Sequence, residues 1–137
     1  MKTGSFFTYQ GPGRISISRS PPRTALAGFR VFKALAPGPW FNSVTPTQNR
    51  KLYNAQLSAL DPAKVWQQLH ALASDAEPVL LCYEMPPFTA TNFCHRRLVA
   101  EWFAEHLGHV VHEHIPAGMP GMAQAAQDDQ GALFPTS

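Results

Sequence analysis

An unbroken apolar run lies between turn-forming residues in the segment from Glu77 to Glu84. Such a run is typical of a strand that is covered on both faces, as in a parallel sheet. A helix is predicted next, from about Asn92 to Leu107, with Gly108 as its C-cap. The segment from His109 to His114 then has the pattern of a final strand. Strand, helix and strand in this order predict a βαβ unit, in which a parallel pair is joined right-handedly.

Two more strands and two more helices are predicted in the first half of the chain. The segment from Arg14 to Arg19 alternates polar and apolar residues with a period of two, and Gly28 to Phe32 is a shorter candidate strand. Each helix begins with a capping residue followed by proline, at Thr45 and at Asp61, and the second helix ends near Asp75. Together with the βαβ unit, these elements predict a single α/β domain with a small, mainly parallel sheet flanked by helices.

The length of the chain fits one domain. Its 137 residues are enough for a single buried core, and we assign residues 1–116 to the α/β domain. Residues 117–137 are rich in Gly, Ala, Gln and Pro with little periodicity, which predicts a flexible C-terminal tail. The chain shows neither an apolar run of about 20 residues nor the apolar core of a signal peptide. We therefore expect a cytoplasmic protein that makes no membrane contact.

The chain has two cysteines and no export signal, which favours a reducing compartment. We therefore expect no structural disulfide. Neither cysteine belongs to a C-x-x-C pair, so no structural zinc site is predicted. His112 and His114 would share one face of the last strand, but no carboxylate or cysteine is obviously paired with them. A solvated or edge-strand position accounts for these histidines without a metal.

Charge is distributed unevenly along the chain. Residues 1–60 hold eight basic residues and no acidic one, whereas residues 61–137 hold three basic and nine acidic residues. Such an asymmetry indicates an anionic partner, such as a nucleic acid or a phosphate-bearing small molecule. The alternative is that the fold interleaves the two halves, so that the charges average out over the surface.

The stretch CHRRLVAEWF at the start of the third helix carries the main candidates for a functional site. On a helical wheel, Cys94 and His95 fall on or beside the apolar arc that faces the sheet. The arc itself consists of Leu98, Val99, Trp102 and Phe103. Arg96 and Arg97 point away from it, and Glu101 is a possible ion-pair partner of Arg97. Cys94 and His95 would then lie at the carboxyl end of the preceding strand, where open α/β sheets bind ligands.

The start of a helix favours an anion, because free N–H groups and the helix dipole point towards it. The same field favours a thiolate at Cys94, as would a protonated His95 or a nearby arginine. Cys94 is therefore the candidate nucleophile. Glu84, at the facing strand end, is a candidate general base or a group that orients His95 or an arginine. The alternative is that Cys94 is a small core residue and His95 a hydrogen-bonded core histidine.

Two kinds of enzyme site lack support. Cysteine phosphatases and rhodaneses need a short loop from a strand-end cysteine to an arginine, but the first arginine after Cys82 is Arg96, fourteen residues on. No glycine-rich dinucleotide or P-loop fingerprint is present, so no cofactor is predicted.

Arg19 and Arg23 lie in the loop after the first predicted strand. If that strand runs beside the Glu77–Glu84 strand in the same direction, both arginines converge on the Cys94 crevice. The side chains that could stack on a base are Tyr9, Trp40 and Phe41. The alternative is an ordinary solvated loop.

Four stretches together resemble the family called domain of unknown function 488: GPGRISISRSPPR, LAPGPW, LLCYE and FCHRRLVAEWF. The resemblance covers roughly residues 6–115. Carried over residue by residue, the family motif falls on Cys82, Glu84, Cys94, His95 and Arg96. Arg19 and Arg23 are similar to the family's basic positions near the N-terminus. The resemblance implies a Rossmann-like α/β sandwich and an association with nucleotide or nucleic-acid modification, but no specific reaction.

The sequence thus predicts an anion-binding crevice in an α/β domain. The candidate catalytic residues are Cys94, His95 and Glu84, and the candidate anion-binding residues are Arg19, Arg23 and Arg96. The first hypothesis is an enzyme that acts on a nucleotide or nucleic acid, with Cys94 as reactive thiol. The second is a non-catalytic module whose basic first half binds a nucleic acid or an acidic partner. The third is that both cysteines only pack the core, and the oligomeric state is open under all three.

Overall fold

Residues 1–84 and 94–116, which are the residues that the computed structural model describes, form a five-stranded sheet with three α-helices. The strands are β1 (Lys2–Ser5), β2 (Arg14–Ser16), β3 (Arg30–Val31), β4 (Val79–Cys82) and β5 (His112–Glu113). The helices are α1 (Pro46–Ser58), α2 (Pro62–Ala73) and α3 (His95–Leu107), with a short 3-10 helix at Lys33–Leu35. The predicted single-domain α/β fold is confirmed. The predicted tail at residues 117–137 lies outside the described residues, as does Asn92. The prediction that Cys94 lies inside the first turn of α3 is wrong, because Cys94 has an extended backbone and is the N-cap of a helix that begins at His95.

Every strand pair in the sheet is parallel, and the strand order is β3-β2-β4-β1-β5. β2 lies beside β4 and runs in the same direction, with Ile15 opposite Leu80. β4 and β5 belong to one sheet, but the prediction that they form a pair is wrong, because β1 lies between them and pairs with both. The chain therefore crosses over one intervening strand on its way from β4 through α3 to β5.

β1 is a central strand that the sequence analysis missed. Its residues Lys2–Ser5 show no alternation of apolar and polar side chains, although Thr3 and Ser5 are fully buried. The buried hydroxyl groups are satisfied by hydrogen bonds: Ser5 Oγ donates to the carbonyl of Tyr83 at 3.1 Å and accepts from the N–H of Phe7 at 3.1 Å. Polar side chains with partners thus occupy places that sequence patterns assign to apolar ones.

The helix boundaries follow from their caps. At α1, Thr45 Oγ1 accepts from the N–H of Gln48 at 3.2 Å, and Gln48 Oε1 accepts from the N–H of Thr45 at 3.1 Å, which completes a capping box. At α2, Asp61 Oδ1 accepts from two N–H groups of the first turn at 3.0 and 3.3 Å. α3 ends at Gly108, whose φ of 70° is the left-handed conformation that favours glycine. All three predicted boundaries are confirmed.

The main hydrophobic core joins the sheet to all three α-helices. It contains Leu80 from β4, whereas Val79 and Leu81 of the same strand pack in a smaller cluster with Phe6. Successive side chains of a strand point to opposite faces, so β4 is covered on both faces as predicted. The predicted apolar arc of α3 is buried as well, at 0 to 6 % exposure: Leu98, Val99, Trp102 and Phe103. None of the helices in the described ranges is long and apolar enough to cross a bilayer.

Candidate active site

A cleft of about 330 Å³ lies where β2 and β4 end and α3 begins. We call it the α3 cleft. Its described lining consists of Ser18, Arg19, Ser20, Pro37, Phe41, Asn42, Cys82, Tyr83, Glu84 and His95. The position is the carboxyl edge of a parallel sheet, where ligands of open α/β folds bind. The structure thus brings three of the six predicted site residues to one cleft: Arg19, Glu84 and His95.

The two cysteines lie at this end of the sheet and are joined by a disulfide. Cys82 is the last residue of β4, and Cys94 is the N-cap of α3; both are buried. The expectation of no disulfide is therefore wrong. It rested on the compartment inferred from the chain as a whole, whereas the fold brings the end of β4 against the start of α3. The positions of two cysteines on either side of one strand-to-helix connection were the available signal.

Arg96 contacts both sulfur atoms from inside the protein. Its Nη1 donates to Cys82 Sγ and to Cys94 Sγ at 3.1 Å each. Its Nε and Nη2 donate to the two carboxylate oxygens of Glu113 at 2.9 and 2.7 Å, so the guanidinium is held in one orientation. Because Arg96 is fully buried, the prediction that it points away from the sheet is wrong. The sequence analysis also missed Glu113, which makes this burial possible.

Arg97 is buried beside Arg96, which contradicts the same prediction. Its Nη1 donates to Thr3 Oγ1 at 2.7 Å and to the carbonyl of Val111 at 3.0 Å. Thr3 Oγ1 in turn donates to Glu113 Oε1 at 2.8 Å. The first turn of α3 is therefore anchored by β1, which is distant in sequence from the helix, and by Val111 and β5, which follow the helix closely in the chain.

Glu84 lies close to the sulfur of the second cysteine. Its Oε2 is 3.2 Å from Cys94 Sγ, within hydrogen-bond reach of the thiol in the reduced protein. A carboxylate at this distance can accept the thiol proton, and the guanidinium of Arg96 on the other side favours the thiolate. The predicted proximity of Glu84 to Cys94 is confirmed as geometry.

His95 is neutral at neutral pH. Burial lowers the pKa of its imidazole to about 4; the positive charge of Arg96 acts in the same direction, and the hydrogen bond to the carbonyl of Ile17 opposes them. Nε2 lies 2.8 Å from that carbonyl oxygen, so Nε2 carries the proton and donates it. The ring also packs edge-on against Tyr53. His95 therefore supplies no positive charge to Cys94, and the nearby cation is Arg96.

The predicted arginines differ in where their side chains lie. Arg19 is exposed and lines the α3 cleft; its Nη1 donates to the carbonyl of Pro37 at 3.2 Å, and its guanidinium lies 5.6 Å from the ring centre of Phe41. Arg23 is exposed and is not part of the cleft lining. Arg96 is used inside the protein, as described above. Of the three, only Arg19 presents its guanidinium to the α3 cleft.

Aromatic and basic side chains of the first half are only partly available to a ligand. Phe41 lines the cleft, but Tyr9 packs against the ring of His114 and Trp40 packs on the main core. Arg14 is buried and donates to three backbone carbonyls at 2.6 to 3.0 Å. The uneven charge in the sequence therefore overstates the positive charge on the surface.

One group of side chains in the described ranges has the spacing of metal ligands. One donor atom each from Cys82, Cys94 and His95 lies within 4.8 Å of the other two. Thiolate and imidazole are ligands that zinc prefers, so these residues could hold such an ion when the cysteines are reduced. The histidines considered for a metal in the sequence, His112 and His114, do not belong to this group.

A family model described as "Domain of unknown function DUF488" matches residues 16–103, which is more than half of the chain. The match runs from the last residue of β2 through most of α3 and includes both cysteines, Glu84, His95 and Arg96. No curated protein and no solved structure shows a significant similarity to the chain. The chain therefore belongs to the family called domain of unknown function 488.

Proposed function

We propose that the protein is a thiol-dependent enzyme that binds a phosphate-bearing substrate, a nucleotide or the end of a nucleic acid, in the α3 cleft. One observation carries the proposal: Cys94 Sγ lies between a carboxylate and a guanidinium, 3.2 Å from Glu84 Oε2 and 3.1 Å from Arg96 Nη1. A core cysteine needs neither neighbour. A nucleophilic cysteine gains from each, because a base takes the proton and a cation stabilises the thiolate that remains.

Arg19 is the group that binds the phosphate in this proposal. It lines the cleft and is partly oriented by the carbonyl of Pro37 and the ring of Phe41. The start of α3 adds the positive end of the helix dipole on the same side. A cleft of about 330 Å³ accommodates a small ligand rather than a folded partner.

The chemical step begins with the reduced protein. Glu84 accepts the proton of Cys94, and the thiolate attacks an electrophilic centre of the bound substrate. The protonated Glu84 then returns the proton to the departing group, so that charge and protons balance. Neutral His95 keeps Nδ1 as a hydrogen-bond acceptor, because Nε2 donates to Ile17. In this role His95 orients a donor group of the substrate and does not itself exchange a proton.

The first test is the alkylation rate of the reduced, folded protein as a function of pH. Cys82→Ser and Cys94→Ser variants separate the two thiols. We expect the Cys94 thiol to reach half its maximal rate at a pH below about 8.5, the value of an unperturbed thiol. A Cys94 that reacts like a free thiol, or more slowly, contradicts its role as nucleophile.

The second test is binding of nucleotides and inorganic polyphosphate by the reduced protein. Arg19→Ala should weaken binding about tenfold, the loss of one charge-assisted hydrogen bond. Arg30→Ala is the matched control, because Arg30 is exposed and lies on β3 away from the cleft lining. Equal weakening by both variants contradicts a site in the α3 cleft.

The alternative function is a non-catalytic module that binds a nucleic acid or an acidic partner. Arg19 and the exposed basic side chains of the first half favour it. Under this alternative, binding falls steeply with salt and Cys94→Ser leaves affinity unchanged, with no covalent intermediate or turnover in the wild-type protein.

A further inference from the structure

We infer that Cys82 and Cys94 form a redox-active pair that cycles between a dithiol and a disulfide by exchange with a low-molecular-weight thiol. The two sulfurs are in disulfide contact and share one hydrogen-bond donor, Nη1 of Arg96. The exchange chemistry follows from this arrangement by itself. Its consequence for activity rests on the function proposed above, because the disulfide removes the thiolate of Cys94.

Arg96 is a positioning residue for both redox states. Two of its nitrogens are fixed by Glu113, which directs the third, Nη1, to the sulfurs. A guanidinium at 3.1 Å stabilises a thiolate on either cysteine, and a stabilised thiolate is a better leaving group when a disulfide is attacked. Stabilising the thiolate also stabilises the reduced state, which makes the disulfide easier to reduce.

Access to the pair is from the α3 cleft. Cys82 belongs to the lining of the cleft but is fully buried, so an incoming thiolate attacks its sulfur from the cleft after a local opening of the cleft wall. The new bond forms between that thiolate and Cys82 Sγ, while the bond to Cys94 breaks and Cys94 leaves as a thiolate beside Arg96. A second small thiolate then attacks the small-molecule sulfur of the mixed disulfide and releases Cys82. One protein disulfide and two small thiols thus become one protein dithiol and one small disulfide.

The strand and the helix that this bond joins are also held by other contacts. β4 is hydrogen-bonded to β1 on one side and to β2 on the other. α3 is attached to the main core through Val99 and Phe103, both fully buried. Disulfides that serve folding are typical of small domains with insufficient cores. In this chain the strand and the helix that carry the cysteines are already held by other contacts, which leaves the bond free to open and close.

The test is a redox equilibrium of the full chain. The protein is incubated at a series of ratios of reduced to oxidised glutathione, alkylated, and its free thiols are counted by mass spectrometry. Circular dichroism at each ratio reports the fold. We expect a fully folded protein that passes between zero and two free thiols in one reversible step. Cys82→Ser and Cys94→Ser variants should show no such step.

Arg96→Lys tests the positioning role. Lysine keeps the charge but cannot contact Glu113 and both sulfurs in the same way. We expect the variant to need about a tenfold higher ratio of reduced to oxidised glutathione for half reduction, which corresponds to the loss of about one pKa unit of thiolate stabilisation. Arg30→Lys, on an exposed position of β3, should leave the ratio unchanged. Equal midpoints in the wild type and in Arg96→Lys overturn the role of Arg96.

Two other outcomes overturn the pair itself. A disulfide that opens only when the protein unfolds is structural. A reduced protein that retains one equivalent of Zn²⁺, with both thiols protected from alkylation, identifies a metal site on Cys82, Cys94 and His95 in place of a redox centre. Nucleotide binding is measured on the same samples. A reversible thiol step without nucleotide binding contradicts the proposed function but supports the redox pair. Nucleotide binding without the thiol step supports the proposed function but contradicts the redox pair.

Discussion

The two halves of α3 are buried by opposite kinds of chemistry. Its N-cap and first turn place a cysteine and two arginines at 0 to 2 % exposure, whereas its later turns place Val99 and Phe103 in the main hydrophobic core. Burial of apolar side chains stabilises the fold directly. Burial of the Arg96–Glu113 pair carries a desolvation cost that its attraction only offsets. The apolar half of α3 thus stabilises the fold, whereas the polar half is held in its position by the rest of the fold and adds little stability.

The largest effect on stability is expected in the apolar half. Phe103→Ala removes a fully buried ring from contact with Trp66 and Trp102 and should lower the free energy of unfolding by about 3–5 kcal/mol. Urea unfolding measures the loss, with Val110→Ala, which is 61 % exposed in the wild type, as the control within about 0.5 kcal/mol. An equally small loss for both variants would mean that the apolar half does not carry the stability of α3.

The polar half should respond differently to single and double changes. Glu113→Leu leaves the charge of Arg96 buried without its carboxylate and should lower the free energy of unfolding by about 3 kcal/mol. Adding Arg96→Met replaces the pair by apolar groups and should restore most of that loss. Urea unfolding measures the stability of both variants. A reductant is present throughout, so that the disulfide does not contribute to the measured stability. A double variant no more stable than Glu113→Leu alone contradicts the view that the pair is stability-neutral.

The last effect is a pH dependence at the boundary between the two halves, which reaches its full size only at the acid end of the range. His95 has a pKa of about 4 in the folded protein against about 6.5 when unfolded, so the unfolded chain binds a proton first as the pH falls. Stability from this group is complete above about pH 6.5 and is lost towards pH 4, by up to about 3 kcal/mol. The groups that face the ring are Tyr53, Arg96 and the carbonyl of Ile17. His95→Gln should flatten the curve in this window; an unchanged slope in denaturant unfolding between pH 4 and 7 contradicts it.

The sequence predicts the apolar half of α3 well and the polar half poorly. Leu98, Val99, Trp102 and Phe103 follow the helical period, and this period can be recognised from the local sequence alone. Arg96 and Arg97 break the pattern, because their partners come from β1 and β5. A helical wheel shows which residues share a face, but not how many faces are covered. Burial of a charged residue is decided by tertiary partners, which the local sequence does not contain.

Patterns in the sequence located the candidate site correctly but did not predict the contacts within it. The end of β4 and the start of α3 were predicted from patterns of the chain, so Glu84, Cys94 and His95 were placed together correctly. The disulfide and the contact of Arg96 with both sulfurs were not predicted, because they depend on side-chain directions within a few ångströms. Arg23 was expected beside Arg19, but a loop after a strand does not fix where its later residues point.

The position of β1 has a consequence for the order in which the molecule can assemble. β1 precedes β4 and β5 in the chain but lies between them in the sheet, and Thr3 bonds to Glu113 across 110 residues of chain. No local hairpin can nucleate the middle of this sheet, and pairing over such long sequence separations slows folding. The sheet cannot be completed before residue 113 has left the ribosome. Until then, β1 can pair with β4 alone, and its other edge remains without the partner that β5 provides.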